Sequence, residues 1–461
     1  MISHIKAQDV LAAALETGGD YSELFLEDTE SNTLSMTGEA VDDISYSKIH
    51  GAGIRVLKGT RCAYAYTADT SQEALLNAAK RAAEALSCEE RDTLTPFTVR
   101  DYRRDPKIAP SEVQHSQRMA WMQQASKAAY SASPEIIQTQ VTLNDVDQRV
   151  LICNSNGVFA YDRRPRVRLD VQAVASDGNQ VQKANKLLGR GCGYEMFDMI
   201  DPEDLGTQTA KSAINILHAA ECPSGVFPVV IDGGRGGVLF HEACGHSLET
   251  TTISRGNSVF CGKLGQQIAA PCVTAIDDGT LPGEWGSLRV DDEGTPGRRR
   301  VLIENGILKS YMVDLLGSRR MGLEPTGSAR RENFTFSPYP RMTNTFIAAG
   351  NDDAEEMIRT MGDGLFAVSM GGGSVSPLTG EFNFTVREGY WVKDGKLYCP
   401  VRGATLIGKG QEVLMNIDRV GKEMWMGTGR CGYLSGRVPV NMGQPRIRIS
   451  SITVGGKGGA L

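Results

Sequence analysis

Apolar and polar positions divide the chain into helical and strand-like text. Near the start Val10, Leu11, Ala14 and Leu15 recur at helical spacing, and Gly18-Gly19-Asp20 ends that helix. Alternation then takes over: Tyr21 to Glu27, Val41 to Ile49, Gly51 to Leu57 and Arg61 to Thr67 read as strands. From Ser71 to Leu86 alanine and leucine fall on one side of a predicted helix. The proline-bearing stretch Thr93 to Pro110 reads as a linker, and Ser111 as the cap of a helix reaching Tyr130. Further strands are expected at Ile136 to Val146, Arg149 to Cys153, Val158 to Tyr161, Val167 to Ala175 and Gln180 to Lys186. Asn156-Gly157 and Asp177-Gly178 supply hairpin turns. Asp201-Pro202 opens a helix running to Ala219, with the proline in its first turn.

Cys222-Pro223-Ser224-Gly225 marks a boundary. Beyond it Phe227 to Ile231 is a short buried strand, and Gly233-Gly234-Arg235-Gly236-Gly237 leads into a helix. A glycine loop there could cradle phosphate, but the P-loop Lys-Ser/Thr and the spaced dinucleotide glycines are missing, which favours a tight turn. Asp277-Asp278-Gly279, Asp291-Asp292-Glu293-Gly294, Glu304-Asn305-Gly306 and Lys393-Asp394-Gly395 recur between short apolar runs, as in a domain of hairpins. Asp291-Asp292-Glu293-Gly294 lacks the alternating ligands and distal Glu of an EF-hand and is read as a turn. The expected class is α+β. An N-terminal domain of antiparallel strands with covering helices spans 1–220, and a C-terminal β-rich domain with the candidate metal-binding helix spans 221–461.

Composition narrows the function. A chain of 461 residues, 41% hydrophobic, can bury sizeable cores, and a net charge of −6 without a basic field argues against nucleic acid as a partner. Ten cysteines scatter from Cys62 to Cys431 with no C-x-x-C pair and no signal-peptide pattern, so reduced thiols and a cytoplasmic location are expected. No run approaches the ~20 apolar residues of a membrane helix.

The chemistry concentrates in His241-Glu242-Ala243-Cys244-Gly245-His246. Two of the chain's six histidines flank a carboxylate. Zinc peptidases with histidines four apart place both on one helix face beside a general-base Glu. A spacing of five rotates a regular helix by ~140°, turning the imidazoles apart. A π-bulge near Gly245 would bring them together. Catalytic zinc needs a third protein ligand. Glu249 is the local candidate; Cys261, Cys272, Cys399 and Cys431 are the distal ones, and Cys431 stands in the glycine-flanked stretch Gly427-Thr428-Gly429-Arg430-Cys431-Gly432.

These residues resemble the TldD/PmbA metalloproteases, on the TldD side. The likeness extends from Gly51-Ala52-Gly53-Ile54-Arg55-Val56 through His241 to Glu249, Pro340-Arg341-Met342-Thr343-Asn344-Thr345 and Pro400-Val401-Arg402-Gly403 to Val454-Gly455-Gly456. It implies a zinc peptidase of unfolded or extended peptides, with the metal on His241, His246 and Cys431 and Glu242 as catalytic base. It also implies a homodimer, or a heterodimer with an inactive PmbA-like partner. Where the family continues Cys-Gly-Lys-x-Gly-Gln, this chain reads Cys431-Gly432-Tyr433-Leu434-Ser435-Gly436, while Cys261-Gly262-Lys263-Leu264-Gly265-Gln266 carries that spelling elsewhere. Cys261 is therefore the second choice of ligand.

With Cys431 as ligand, Cys244 is expected to pack and Glu249 to orient a histidine. Arg330, Arg331, Arg341 and Asn344 are candidates to hold the peptide backbone or its carboxylate, against a role in stabilising turns. Two other readings of the same residues are a binding protein with a closed structural zinc site and a hydrolase of non-peptide amides.

Overall fold

Long antiparallel strands dominate the first half of the computed structural model, which describes residues 3–86, 93–459 and 461. In chain order these elements are α1 (His4–Ala14), β1 (Tyr21–Thr37), β2 (Ala40–Lys58), β3 (Arg61–Thr67), α2 (Gln72–Glu84) and β4 (Thr98–Asp101). Then come α3 (His115–Ala132), β5 (Ile136–Asn154), β6 (Val158–Ser176), β7 (Val181–Arg190) and α4 (Pro202–Leu217). They build one seven-stranded sheet in the order β3-β2-β1-β5-β6-β4, with β7 also paired to β6.

Several strands are longer than their apolar alternation suggests. β5 continues through Asp145 and Asp147 because both acids find cations: Arg118 of α3 is 3.0 Å from Asp145, and Arg163 of β6 is 2.8 Å from Asp147. A polar residue that looks like a break from its sequence neighbours stays in the ladder when a partner satisfies it. The helix expected from Ser111 starts instead at His115. Pro110–Glu112 form a separate 3₁₀ turn, closed by the Glu112 carboxylate accepting the Ala109 N–H at 2.7 Å. The hairpin turns do occur at Gly157 (φ 87°) and Gly178 (φ 90°).

Helices α1 and α2 bury Leu11 and Leu75 against Leu24, Ile54 and Leu151 of the sheet. α3 and its neighbours bury Met122 and Leu205 against Leu143 and Leu169. Each such large side chain contributes about 1.5–3 kcal/mol on full burial.

The second half is built from short strands. One six-stranded sheet runs, edge to edge, through Ile307–Leu308, Arg299–Glu304, Ala275–Asp278, Asn344–Ile347, Gly436–Gln444 and Trp425–Tyr433. In an eight-stranded sheet, pairing of Gly364–Val375 with Glu381–Lys393 closes five strands into a ring. The turns at Asn305 (φ 48°) with Gly306 and Asp394 (φ 49°) with Gly395 join hairpins. The chain is α+β, as its pattern predicts.

The halves meet through buried ions. Arg55 of β2 lies 2.7 Å from Glu23 and 2.6 Å from Glu293; Arg331 lies 2.5 Å from Glu23. Arg164 of β6 bridges Asp162 and Asp292 at 2.8 and 2.7 Å. Asp291-Asp292-Glu293-Gly294 is thus a turn with buried acids: Asp292 and Glu293 meet Arg164 and Arg55 of the other half, while Asp291 accepts the backbone N–H groups of Glu293, Thr295 and Ala329. Among the described residues nine cysteines are free thiols; the tenth, Cys88, lies outside the described residues. Among the described residues no helix is long and apolar enough to cross a membrane.

Candidate metal centre

The strand Gly225–Ile231 delivers the chain to a glycine turn in which Gly234 takes φ 67°. A Cβ on Gly237 would come 2.6 Å from the Gly443 nitrogen, so the missing side chain lets this turn sit against the C-terminal hairpin. The glycine loop serves packing. Helix α5 (Val238–Ala243) follows and places His241 and Glu242.

The path from His241 to His246 differs from the expected π-bulge. The helix ends at Ala243, Cys244 leaves helical geometry at φ −130°, ψ −47°, and a 3₁₀ turn over Gly245–Leu248 carries His246. A Cβ on Gly245 would lie 2.2 Å from Met342 Sδ, so glycine permits the close approach of that neighbour. Carbonyls around the break find side-chain donors: Thr252 Oγ1 donates to His246 O at 3.2 Å, and Ser258 Oγ to Ser247 O at 2.6 Å. Satisfied backbone makes the interruption stable. Cys244 is buried in the apolar core, where burial pushes its thiol pKa upward.

The break turns the two rings toward one another, with centroids 5.2 Å apart and planes at 84°. Cys431, on the edge strand Trp425–Tyr433, brings its Sγ to 3.1 Å from His246 Nε2. One ligand atom from each of His241, His246 and Cys431 falls within a span of 4.8 Å, and all three residues are buried. Burial pushes the Cys431 thiol up, but the facing imidazoles outweigh it and hold its pKa at about 3. Burial opposes charge on His246, yet the Glu249 carboxylate and Cys431 keep its pKa well above the usual imidazole value. His241 Nδ1 is buried without a hydrogen-bond partner. Two imidazoles and a thiolate are a donor set that suits zinc.

Glu249 is buried and places Oε1 3.1 Å from His246 Nδ1, fixing that ring's orientation. Glu242 reaches the other side, with Oε2 3.7 Å from His246 Nε2 and a side chain 31% exposed. The Tyr433 ring lies 5.9 Å from that of His246, half exposed at the rim.

The four residues considered for peptide contact are all buried and hydrogen-bonded within the chain. Arg331 is held by Glu23, Asp292 O and Tyr64 Oη. Asn344 donates to Asp278 O and Ser287 Oγ. Arg341 donates to Cys431 O at 2.7 Å and to Ser435 Oγ and Gly436 O, so it fixes the strand end behind the thiol. Arg330 donates to Met342 O. Position in the sequence could not reveal this, because every one of these partners lies elsewhere in the chain. Met342 itself, which packs against Gly245, has no polar chemistry to mark its role beforehand. Cys261 turns its thiol to Ile253 O and Cys272 to Ile417 O; neither joins the cluster of His241, His246 and Cys431.

A mixed-sheet fold with a buried His-His-Cys cluster beside a carboxylate defines an α+β protein with a candidate metal site, and comparison narrows it. Residues 22–86 match the PmbA/TldA metallopeptidase domain 1, residues 108–217 its central domain and residues 224–456 its C-terminal domain. A metalloprotease TldD homolog of Buchnera aphidicola is 32% identical over 98% of this chain and 96% of its own length. A zinc metalloprotease TldD homolog of Saccharolobus solfataricus is 31% identical over 62% of this chain and 64% of its own. TldE of Thermococcus kodakarensis shares the fold, with TM-score 0.79 at 18% identity over 97% of this chain and 99% of that one. The chain belongs to the TldD/PmbA metallopeptidase family.

Proposed function

We propose that this protein is a zinc-dependent peptidase of extended peptides, in which His241, His246 and Cys431 hold the metal and Glu242 is the general base. The observation that carries this reading is the convergence of two imidazoles and a thiolate within 4.8 Å. Three protein donors are the catalytic number, whereas a closed structural site takes four. Glu249 is engaged with His246 Nδ1, and among the described residues no fourth side chain joins the cluster.

When bound, zinc supplies Lewis acidity toward water and toward a peptide carbonyl. Glu242, part-exposed beside His246, is placed to take a proton from the attacking water and pass it to the leaving amine. Glu249 holds the His246 ring in one orientation, and Arg341 holds the Cys431 carbonyl, so neither ligand has to be ordered on binding. The strand bearing Cys431 lies at a sheet edge, which suits main-chain pairing with an extended peptide. Part of that edge is taken, since Trp285 Nε1 donates to Gly429 O and Met426 bridges to Gly234. The stretch beyond Gly429 is the candidate for peptide pairing.

Association with a second copy or a PmbA-like partner belongs to the same reading. Among the described residues the first part of β2 pairs only with β1, and it exposes Val41, Ile44 and Tyr46, an open edge that another chain can cover.

The deciding measurement is metal content and peptide hydrolysis of wild type beside Cys431→Ala and Glu242→Ala. Cys431→Ala is expected to lose both, and Glu242→Ala to keep the metal while hydrolysis falls by ~10²–10⁴-fold. Full zinc in Cys431→Ala, or full hydrolysis in Glu242→Ala, sinks the assignment.

A further inference from the structure

On the other face of the hairpin that presents Cys431 lies a partly open cavity of about 120 Å³. Strand neighbours point to opposite faces, so Cys431 and its pair Val438 face one way while Arg430 and its pair Pro439 face the other, into this cavity. Its far wall is β6, where Arg164 and Arg166 share a face, and Arg330 and Trp285 close the sides.

The cations here are not balanced. Arg164 is neutralised by Asp162 and Asp292, and Arg331 by Glu23. Among the described residues Arg166, buried, donates only to carbonyls, those of Trp285 at 3.0 Å and Ser287 at 3.4 Å. Arg330, also buried, donates only to Met342 O at 2.6 Å. Among the described residues no carboxylate lies within 4.0 Å of the guanidinium of Arg166, Arg330 or Arg430. The nearby acids are committed elsewhere: Glu27 accepts from Thr29, Gln148 and the Phe334 N–H, and Glu332 from the Arg437 N–H. Burial and neighbouring arginines lower the pKa of Arg166 to about 9, and burial lowers that of Arg330 to about 10. A buried charge without a counter-charge is costly unless something outside the chain supplies one.

We propose that this cavity binds one oxyanion, a carboxylate or phosphate, between Arg166, Arg330 and Arg430. Planar guanidinium forks suit such oxygens, and the cavity exceeds by several-fold the ~10–15 Å³ that one water requires. Two sources share the chemistry: a free anion, or the carboxylate of a peptide held along the edge strand. The second source rests on the peptidase reading above.

The test is titration calorimetry of the full chain with inorganic phosphate and with acetate, together with hydrolysis of one peptide bearing a C-terminal carboxylate or carboxamide. Saturable anion binding is expected in wild type, weakened roughly tenfold or more in Arg166→Gln and Arg330→Gln. Arg430→Gln, on an exposed strand position, gives the same readout should the buried variants fail to fold. A lower KM for the carboxylate peptide, lost in Arg430→Gln, assigns the site to substrate. Anion binding with equal KM values assigns it to a free anion. Anion binding with no peptide cleaved leaves the site standing and overturns the peptidase reading alone. No saturable binding of either anion, with equal KM for both peptides, overturns the proposal.

Discussion

The candidate metal centre and the ion network between the two halves are both buried and both charged, yet they are composed differently. In the network, cations and anions alternate: Glu293, Arg55, Glu23 and Arg331 follow one another at 2.5 to 2.7 Å. At the centre, His241, His246 and Cys431 bring lone-pair donors to a single region, and His241 Nδ1 is left without a partner. A cluster that alternates in sign closes on itself and holds domains together. A cluster of like donors is completed only by something from outside. Arg331 and Arg341 show why residue type does not decide between the two. Both were candidates for substrate contact; one became a tie between halves and the other a brace behind Cys431.

The largest effect expected of this contrast is on stability. Arg331→Met leaves Glu23 and the Asp292 turn short of a cation, and should destabilise the chain by ~3–5 kcal/mol in denaturant unfolding. Metal content per folded molecule should stay at the wild-type value. Loss of zinc without loss of stability would erase the distinction between the two clusters.

Next in size is the positioning role of Glu249. Glu249→Gln keeps a hydrogen-bonding group beside His246 Nδ1 but removes its charge, and should weaken zinc binding by ~10–100-fold in a chelator competition. Global stability of the metal-free protein should change far less than in Arg331→Met. An unaltered zinc affinity would reduce Glu249 to a packing residue.

A third effect concerns pH. Around Glu293 carboxylates outnumber arginines: burial raises its pKa to about 8, against the lowering by Arg55, and Asp314, Asp291 and Glu23 add to the rise. Burial likewise raises Asp291, to about 7. The folded chain therefore holds these protons more tightly than the unfolded chain, whose carboxyls titrate near ~4. That stabilisation is complete below the unfolded pKa and is lost as pH rises through the folded values. Melting temperature should fall from pH ~5 to ~8, and Glu293→Gln should flatten the slope. A melting temperature that rises over this range would mean that the network carries no excess of acid.

Much of the fold was legible because its determinants are local. Helical spacing located α1 and α2, and Asn156-Gly157, Asp177-Gly178, Glu304-Asn305-Gly306 and Lys393-Asp394-Gly395 located turns. Strand lengths were less legible: Asp145 and Asp147 look like interruptions until Arg118 and Arg163 stand beside them. The helix expected from Ser111 is present but starts at His115, because Glu112 closes a turn of its own before it. At the site, the two histidines and Glu242 are sequence neighbours, and that much chemistry could be read directly. The geometry joining the histidines could not, since whether the helix widens or breaks depends on Met342, Thr252 and Ser258.

By itself, then, the sequence determined which residue types stand next to one another, and with them the periodicities, the turns and the His-Glu-…-His stretch. The tertiary structure alone decided that Cys431, 185 residues beyond His246, arrives 3.1 Å from its Nε2. It also decided that Arg331, so close in type to Arg330, pairs with Glu23 while Arg330 meets only a carbonyl. The physical reason is that charge and coordination are settled by what lies within a few ångströms in space. For groups this far apart along the chain, the pairing of strands in the sheets sets that distance.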